Sequence, residues 1–117
     1  MRNGPDAFLP LSPATLYILL ALVGGELHGY GIMLEAARQS QGQYKLGPGT
    51  LYDNLRKLMA QRIVEEFRKR SSGDDPRRRY YRLTDLGRRV LAADLSRLEK
   101  VLRTARSLLH TPKPRRA

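Results

Sequence analysis

The sequence predicts a mainly α-helical fold that contains one small β-hairpin. Three observations lead to this prediction. Apolar residues recur at helical spacing in four segments of the 117-residue chain. Two short alternating stretches flank a segment rich in Ser, Gly, Asp and Pro, which is typical of a hairpin. Leucines then recur at heptad spacing through the last helical segment.

The first helix is predicted from Ser12-Pro13 to Val23. Ser is a preferred N-cap, and Pro is tolerated in the first helical turn, where its missing N–H has no intrahelical partner. The segment is apolar on almost every side, so we expect it to be buried on almost every side. Residues 1–10 are polar and contain two prolines, and they are predicted to form a flexible arm.

The second helix is predicted to open at His28-Gly29-Tyr30-Gly31 and to end near Gln39. We expect four of its residues to point inward, namely Tyr30, Met33, Leu34 and Ala37. The third helix is predicted from Gly47-Pro48 to about Gln61, with a core stripe of leucines. At 100° per residue, its opposite face carries small, polar and basic side chains. They are Gly49, Thr50, Asp53, Arg56, Lys57 and Ala60, with Tyr52 on the flank.

Ile63 to Arg68 and Arg79 to Leu83 alternate as two strands of a hairpin, and Thr84-Asp85 caps the last helix. The turn ends in three consecutive arginines, at positions 77–79. The last helix runs to about Leu109, and its apolar residues recur at spacings of 4, 3, 4, 3 and 4. That seam is typical of a helix that pairs with another helix.

The charge of the chain is strongly asymmetric. Its formal net charge is +11, and residues 62–117 carry seventeen basic and seven acidic side chains. Such a bias indicates a polyanionic partner, most commonly nucleic acid. The chain has no cysteine, two distant histidines and no phosphate-binding glycine loop before a helix, so we expect no enzyme activity, no metal site and no cofactor. No signal peptide or membrane span is predicted, and a cytoplasmic protein without a membrane partner is expected.

Three helices followed by a hairpin are the order of a winged helix-turn-helix. In that fold the third helix enters the major groove of double-stranded DNA, and the hairpin, called the wing, lies beside the backbone. We therefore divide the chain into a flexible arm (1–10), a winged-helix DNA-binding domain (11–84), a long C-terminal dimerisation helix (85–110) and a basic tail (111–117). The alternatives are a winged-helix module that binds protein or RNA, and a non-specific DNA binder.

Four motifs, in order, resemble the PadR family of bacterial transcriptional regulators. They are Ile18-Leu19-Leu20-Ala21-Leu22, His28-Gly29-Tyr30-Gly31, Gly49-Thr50-Leu51-Tyr52-Asp53-Asn54-Leu55 and Tyr80-Tyr81-Arg82-Leu83-Thr84-Asp85-Leu86-Gly87-Arg88. The resemblance covers roughly residues 11–109. It implies a homodimeric repressor of the short, single C-terminal helix subgroup, a pseudo-palindromic operator, and a small-molecule effector of unknown identity in many members.

Three positions depart from this family. Asp53 stands where proline is frequent in the third helix, and Arg62 stands where glycine is frequent before the first wing strand. The chain also lacks the tryptophan with which short members stack flat aromatic drugs. An effector pocket between the last helix and the winged domain would be lined by Leu11, Tyr17, Leu91 and Leu95.

Two sets of residues carry the predicted function. The predicted DNA-binding residues are Gly49, Thr50, Tyr52, Asp53, Arg56, Lys57, Arg77, Arg78 and Arg79. The predicted dimerisation residues are Leu16, Leu19, Leu91, Leu95, Leu98, Leu102 and Leu109. Arg56 could contact guanine or phosphate, and Asp53 could accept from cytosine or simply repel the DNA backbone.

Overall fold

The computed structural model describes residues 4–68 and 78–110. Arg77, in the predicted wing, and the predicted basic tail 111–117 lie outside these residues. A 3-10 helix, four α-helices and three strands form the described part. Their bounds are Gly4–Phe8 for the 3-10 helix, Pro13–Leu22 (α1), Leu27–His28 (β1), Gly29–Gln39 (α2), Pro48–Ala60 (α3), Val64–Arg68 (β2), Arg79–Leu83 (β3) and Asp85–His110 (α4).

Helix α1 is the centre of the core. Its N-cap is Ser12, whose hydroxyl accepts the Thr15 N–H, and Pro13 lies in the first turn as predicted. Ile18, Leu19 and Leu22 are almost completely buried. Contacts to α1 come from α2, α3, α4 and β3. The helix that the sequence makes apolar all round is thus covered by four other elements.

The three strands form one antiparallel sheet in the order β1-β3-β2. Val64 pairs with Leu83, and Arg68 pairs with Arg79, which gives the two-stranded wing that the sequence predicts. The third strand, β1, has only two residues and pairs Leu27 with Tyr81. It was not predicted, because two residues are too short for an alternating pattern. The predicted mainly α fold with a small β-hairpin is confirmed.

Two predictions for the chain's surface are wrong. Tyr30 and Leu34 of α2 were expected to point inward, yet they are 62% and 53% exposed. Ile32 and Ala36 are buried in their place, so α2 turns the face that carries these two residues towards the core. Within the predicted arm, the 3-10 helix contacts α4 and Phe8 packs against the core.

The turn from α3 into the sheet is held by one unusual backbone conformation, at Arg62, and by one side-chain hydroxyl, that of Thr84. Arg62 has a φ of 61°, which lies in the left-handed region. Glycine adopts this conformation readily, and glycine is the residue that is frequent at this position in the family that the sequence resembles. The Thr84 hydroxyl donates to the Arg62 carbonyl over 2.6 Å and accepts the Gly87 N–H over 2.9 Å. This hydroxyl therefore ties the start of α4 to the end of α3.

No described helix has both the length and the apolar character that crossing a membrane requires.

We expect Gly87→Ala to destabilise the protein by about 1–3 kcal/mol, as overpacking does. A Cβ at this position would lie 2.1 Å from the Ile63 carbonyl oxygen, and backbone atoms cannot move aside cheaply. The matched control is Gly49→Ala in α3, where a Cβ meets nothing within 4 Å. There we expect a gain of about 0.5–1 kcal/mol from helix propensity. Urea denaturation of both variants measures the two effects, and equal stabilities would contradict this account.

Candidate nucleic-acid interface

One face of α3 is exposed and carries most of the predicted DNA-binding residues. Leu51, Leu55 and Leu58 are buried on the opposite side and fix the rotation of the helix. Pro48 lies in the first turn, and Gly47 is an N-cap without a side-chain hydrogen bond. The structure brings six predicted residues together on the exposed face. They are Gly49, Thr50, Tyr52, Asp53, Arg56 and Lys57.

Asp53 holds the two cations of this face. Its Oδ1 lies 3.3 Å from Arg56 Nη1, and its Oδ2 lies 3.4 Å from Lys57 Nζ. The Arg56 and Lys57 side chains are 74% and 71% exposed. Exposed ion pairs of this kind are worth only about 0–1 kcal/mol. Both cations are therefore oriented by Asp53 and can still change partners.

A cleft of about 560 Å³ separates α3 from the sheet. The residues that line this cleft include Tyr52 from α3, and Arg78 and Arg79 from the wing. Arg79 Nε lies 3.6 Å from Glu66 Oε1 on the neighbouring strand, so part of its charge is already compensated. The remaining lining residues are His28, Gly29, Tyr30 and Tyr81. The cleft joins the α3 face to the wing arginines on one side of the molecule.

Gly29 and Tyr52 set the position of α3 relative to α2. A Cβ on Gly29 would lie 2.3 Å from the Tyr52 hydroxyl oxygen, so this ring packs directly over the glycine. His28 is the N-cap of α2, and its Nδ1 accepts the Gly31 N–H over 3.0 Å. Sequence reasoning gave Gly29 no role. The sequence shows only that a glycine stands at the start of α2, and this does not indicate which side chain packs against it.

The predicted dimerisation residues fall into two groups. Leu19 and Leu91 are buried in the chain's own core, and Leu16 is half-buried. This burial corrects the assignment of Leu19 and Leu91 to a dimer surface, because they already have apolar partners. The outer part of the α4 seam is accessible. It comprises Leu95, Leu98, Leu102 and Leu109, with Val101 and Leu108 also exposed beside it.

The residues that were predicted to line an effector pocket lie in environments that differ from one residue to the next. Tyr17 stacks on Tyr44 with ring centroids 4.8 Å apart. Leu91 is buried, whereas Leu95 is 42% exposed and lines a groove along α4. Within residues 4–68 and 78–110, no three His, Asp or Glu side chains are placed to hold a metal ion.

The fold and this face can be compared with known proteins. The profile of the Transcriptional regulator PadR-like family matches residues 18–93. A transcriptional regulator of Mycobacterium tuberculosis is 34% identical over 88 residues, which cover 75% of this chain and 78% of that protein. This chain belongs to the PadR-like family. The predicted resemblance is confirmed, and membership of a family of transcriptional regulators agrees with the prediction that the chain is not an enzyme.

The chain is also similar to other known proteins. An uncharacterized 37.1 kDa transposon protein of Streptomyces fradiae is 37% identical over 78 residues, which span 67% of this chain and 21% of that protein. A PadR family regulator from Clostridium difficile superposes with a TM-score of 0.71 at 20% identity, over 84% of this chain and 99% of that one. Bacillus subtilis PadR, solved in complex with operator DNA, superposes with a TM-score of 0.64 at 23% identity, over 92% of this chain and 54% of that one. At these identities the structural matches establish the fold.

Tyr81, which lines the cleft, has a raised pKa, and this makes the stability of the protein depend on pH. Burial raises the pKa of its phenol, and Glu66 and Tyr52 nearby raise it further, while Arg79 acts in the opposite direction. An unfolded tyrosine ionises near pH 10. The contribution of Tyr81 to stability is therefore complete below about pH 10 and is lost as the pH rises through the higher folded pKa.

We expect the free energy of unfolding of Tyr81→Phe to fall less steeply than that of the parent between about pH 9 and about pH 11. The ionisable group is absent from that variant in both the folded and the unfolded state. Urea denaturation across this range measures the slope. Tyr30→Phe is the matched control, because it removes one hydroxyl from an exposed ring. Parallel slopes for Tyr81→Phe and the parent would contradict the assignment.

Proposed function

We propose that this PadR-like regulator binds a pseudo-palindromic operator in double-stranded DNA as a homodimer and represses the promoter that the operator overlaps. The observation that carries the proposal is the position of α3. Its polar and basic face is exposed, and the adjoining cleft leads to Arg78 and Arg79 on the wing. The operator complex of Bacillus subtilis PadR supports this reading, since that protein shares the fold.

In this proposal α3 lies in the major groove with its N-terminal half against base edges. Thr50 can donate to or accept from either base type, and the Arg56 guanidinium matches the two acceptors of guanine. Asp53 either accepts from cytosine N4 or keeps Arg56 and Lys57 oriented. Arg78 neutralises phosphates beside the groove, and the released counterions add binding free energy that does not depend on sequence.

The dimer would form through α4. This helix has 26 residues, and the accessible part of its leucine seam has no cover within the described chain. Leu95, Leu98 and Leu102 line a groove of about 550 Å³, which a helix of a second chain can fill by heptad packing. Two-fold symmetry would then place the half-sites about one turn, or 10 bp, apart or a multiple of it. A small-molecule effector would act by changing the angle between the two α3 helices.

A binding experiment tests the DNA-reading role. Duplexes enriched from a random pool are compared with scrambled duplexes at several salt concentrations. We expect the enriched duplex to bind about 10³-fold more tightly, with a steep loss of affinity in salt. Arg56→Ala should cost about 1–3 kcal/mol on the enriched duplex and relax the base preference at one position. Arg78→Ala should weaken both duplexes alike and reduce the salt slope by about 1.

Arg103→Ala is the matched control for this experiment, because Arg103 is exposed on α4, outside the predicted DNA-binding face. It removes the same charge and should leave the base preference unchanged. Equal affinity of the parent for enriched and scrambled duplexes would favour a non-specific DNA binder. Absence of duplex binding at every salt concentration would favour a module for protein or RNA.

A second experiment tests the dimer. Leu102→Glu should weaken self-association by about 3 kcal/mol, or about 100-fold, because it places an unpaired carboxylate in the seam. Sedimentation equilibrium over a concentration series measures the dissociation constant. Arg103→Glu is the matched control, since it adds an acidic side chain next to the seam. A dimer that survives Leu102→Glu unchanged would exclude this face as the interface.

A further inference from the structure

A series of hydrogen bonds, completed by the peptide bond between Leu11 and Ser12, connects α4 to α3 through the first turn of α1. We call this series the polar path. Four of its members contribute side chains, whereas Leu11 contributes its backbone N–H and Thr50 its backbone carbonyl. Its members, in order, are Asp94, Leu11, Ser12, Thr15, Asn54 and Thr50.

The α4 end of the polar path is a buried carboxylate. Asp94 has no accessible surface, and it follows the buried residues Val90 and Leu91 on the inner side of α4. Its Oδ1 accepts from Arg97 Nε over 2.8 Å and from the Leu11 N–H over 3.5 Å. Its Oδ2 is buried and has no hydrogen-bond partner among residues 4–68 and 78–110. A buried charge is costly, so its placement restricts how α4 can lie against the start of α1.

The middle of the polar path is the N-terminal turn of α1. The Ser12 hydroxyl accepts the Thr15 N–H and donates to the Thr15 hydroxyl oxygen over 3.0 Å. The Thr15 hydroxyl in turn donates to Asn54 Oδ1 over 2.9 Å. Each hydroxyl thus acts as both donor and acceptor, which fixes the rotation of both side chains.

The α3 end of the polar path reaches the proposed DNA face. Asn54 is half-buried, and its side-chain amide bridges two helices. Its Oδ1 accepts from Thr15, and its Nδ2 donates to the Thr50 carbonyl over 2.8 Å. Thr50 lies in the first turn of α3, the turn that would meet base edges. Directional bonds therefore run from the first turn of α1 to the first turn of α3.

We propose that Thr15, Asn54 and Asp94 are positioning residues that fix the orientation of α3 relative to α4. The apolar contacts through which α3 and α4 each pack on α1 resist separation, whereas hydrogen bonds also require a particular angle. In a dimer joined through α4, this orientation sets the separation of the two recognition helices. That last step rests on the proposed function, but the link between α3 and α4 within one chain does not.

The link is tested by a distance measurement without DNA. The chain has no cysteine, so Ala60→Cys in α3 and Arg103→Cys in α4 introduce two unique sites for spin labels. Both positions are exposed. The labelled chain is diluted with unlabelled chain, so that the distance within one chain dominates in pulsed electron resonance. Thr15→Val removes the hydroxyl and keeps the shape of the side chain, and we expect it to broaden the distance distribution relative to the parent.

Two further variants separate positioning from general destabilisation. Thr15→Ser restores the hydroxyl and should restore the narrow distribution. Ile18→Val removes a buried methyl from the same helix, costs about 0.5–1.5 kcal/mol, and should leave the distribution narrow. An unchanged distribution in Thr15→Val overturns the proposal. Equal broadening in Thr15→Val and Ile18→Val overturns it as well.

The consequence for DNA is measured on the enriched duplex and on the same duplex with one base pair inserted between its half-sites. We expect Thr15→Val to reduce the parent's preference for the original spacing by about 2- to 30-fold, and Thr15→Ser to retain it. A preference that Thr15→Val leaves unchanged overturns this consequence. If the parent itself does not discriminate between duplexes, the proposed operator function fails, and the distance measurement still decides whether the polar path positions α3.

Discussion

The packing of four other elements against α1 is the constraint on which the rest of the structure depends. An apolar side chain of the size of Leu or Ile contributes about 1.5–3 kcal/mol when it is fully buried. Ile18, Leu19 and Leu22 together represent a large part of the stability of a small domain, and one neighbouring element cannot cover them. For this reason α1 is packed against four elements, namely α2, α3, α4 and β3. Both the exposed face of α3 and the long arm of α4 therefore take their positions from the same central helix.

Much of this fold could be predicted from local signals. Pro13 and Pro48 mark the starts of α1 and α3 because proline fits the first helical turn. The wing strands follow from alternating residues on both sides of a turn-forming segment, and α4 follows from its leucine spacing. The exposed face of α3 could also be predicted, because its leucines recur at helical spacing and define the opposite side. A signal of this kind is contained within one element, so a single sequence reveals it.

The features that escaped prediction depend on contacts between elements. β1 exists because β3 offers it a partner, and two residues carry no periodicity of their own. Tyr30 is exposed because α2 turns Ile32 towards α1, which a short helix with apolar residues on several sides does not reveal. Leu91 fits the heptad seam as well as Leu102 does, but only Leu102 lies beyond the edge of the winged domain. The fit of Tyr52 over Gly29 likewise joins two helices.

The two ion pairs of Asp53 have a consequence for how α3 treats anions of any kind. Its carboxylate already occupies Arg56 and Lys57, so an incoming anion must displace an internal competitor instead of capturing two free cations. The net gain is then the difference between two similar interactions. An anion that fits the face poorly gains little from the exchange, and one that engages both cations with good geometry gains more. Because each exposed ion pair is worth only about 0–1 kcal/mol, Asp53 reduces the gain of a poorly fitting anion by a small amount and leaves the face open to a well-fitting one.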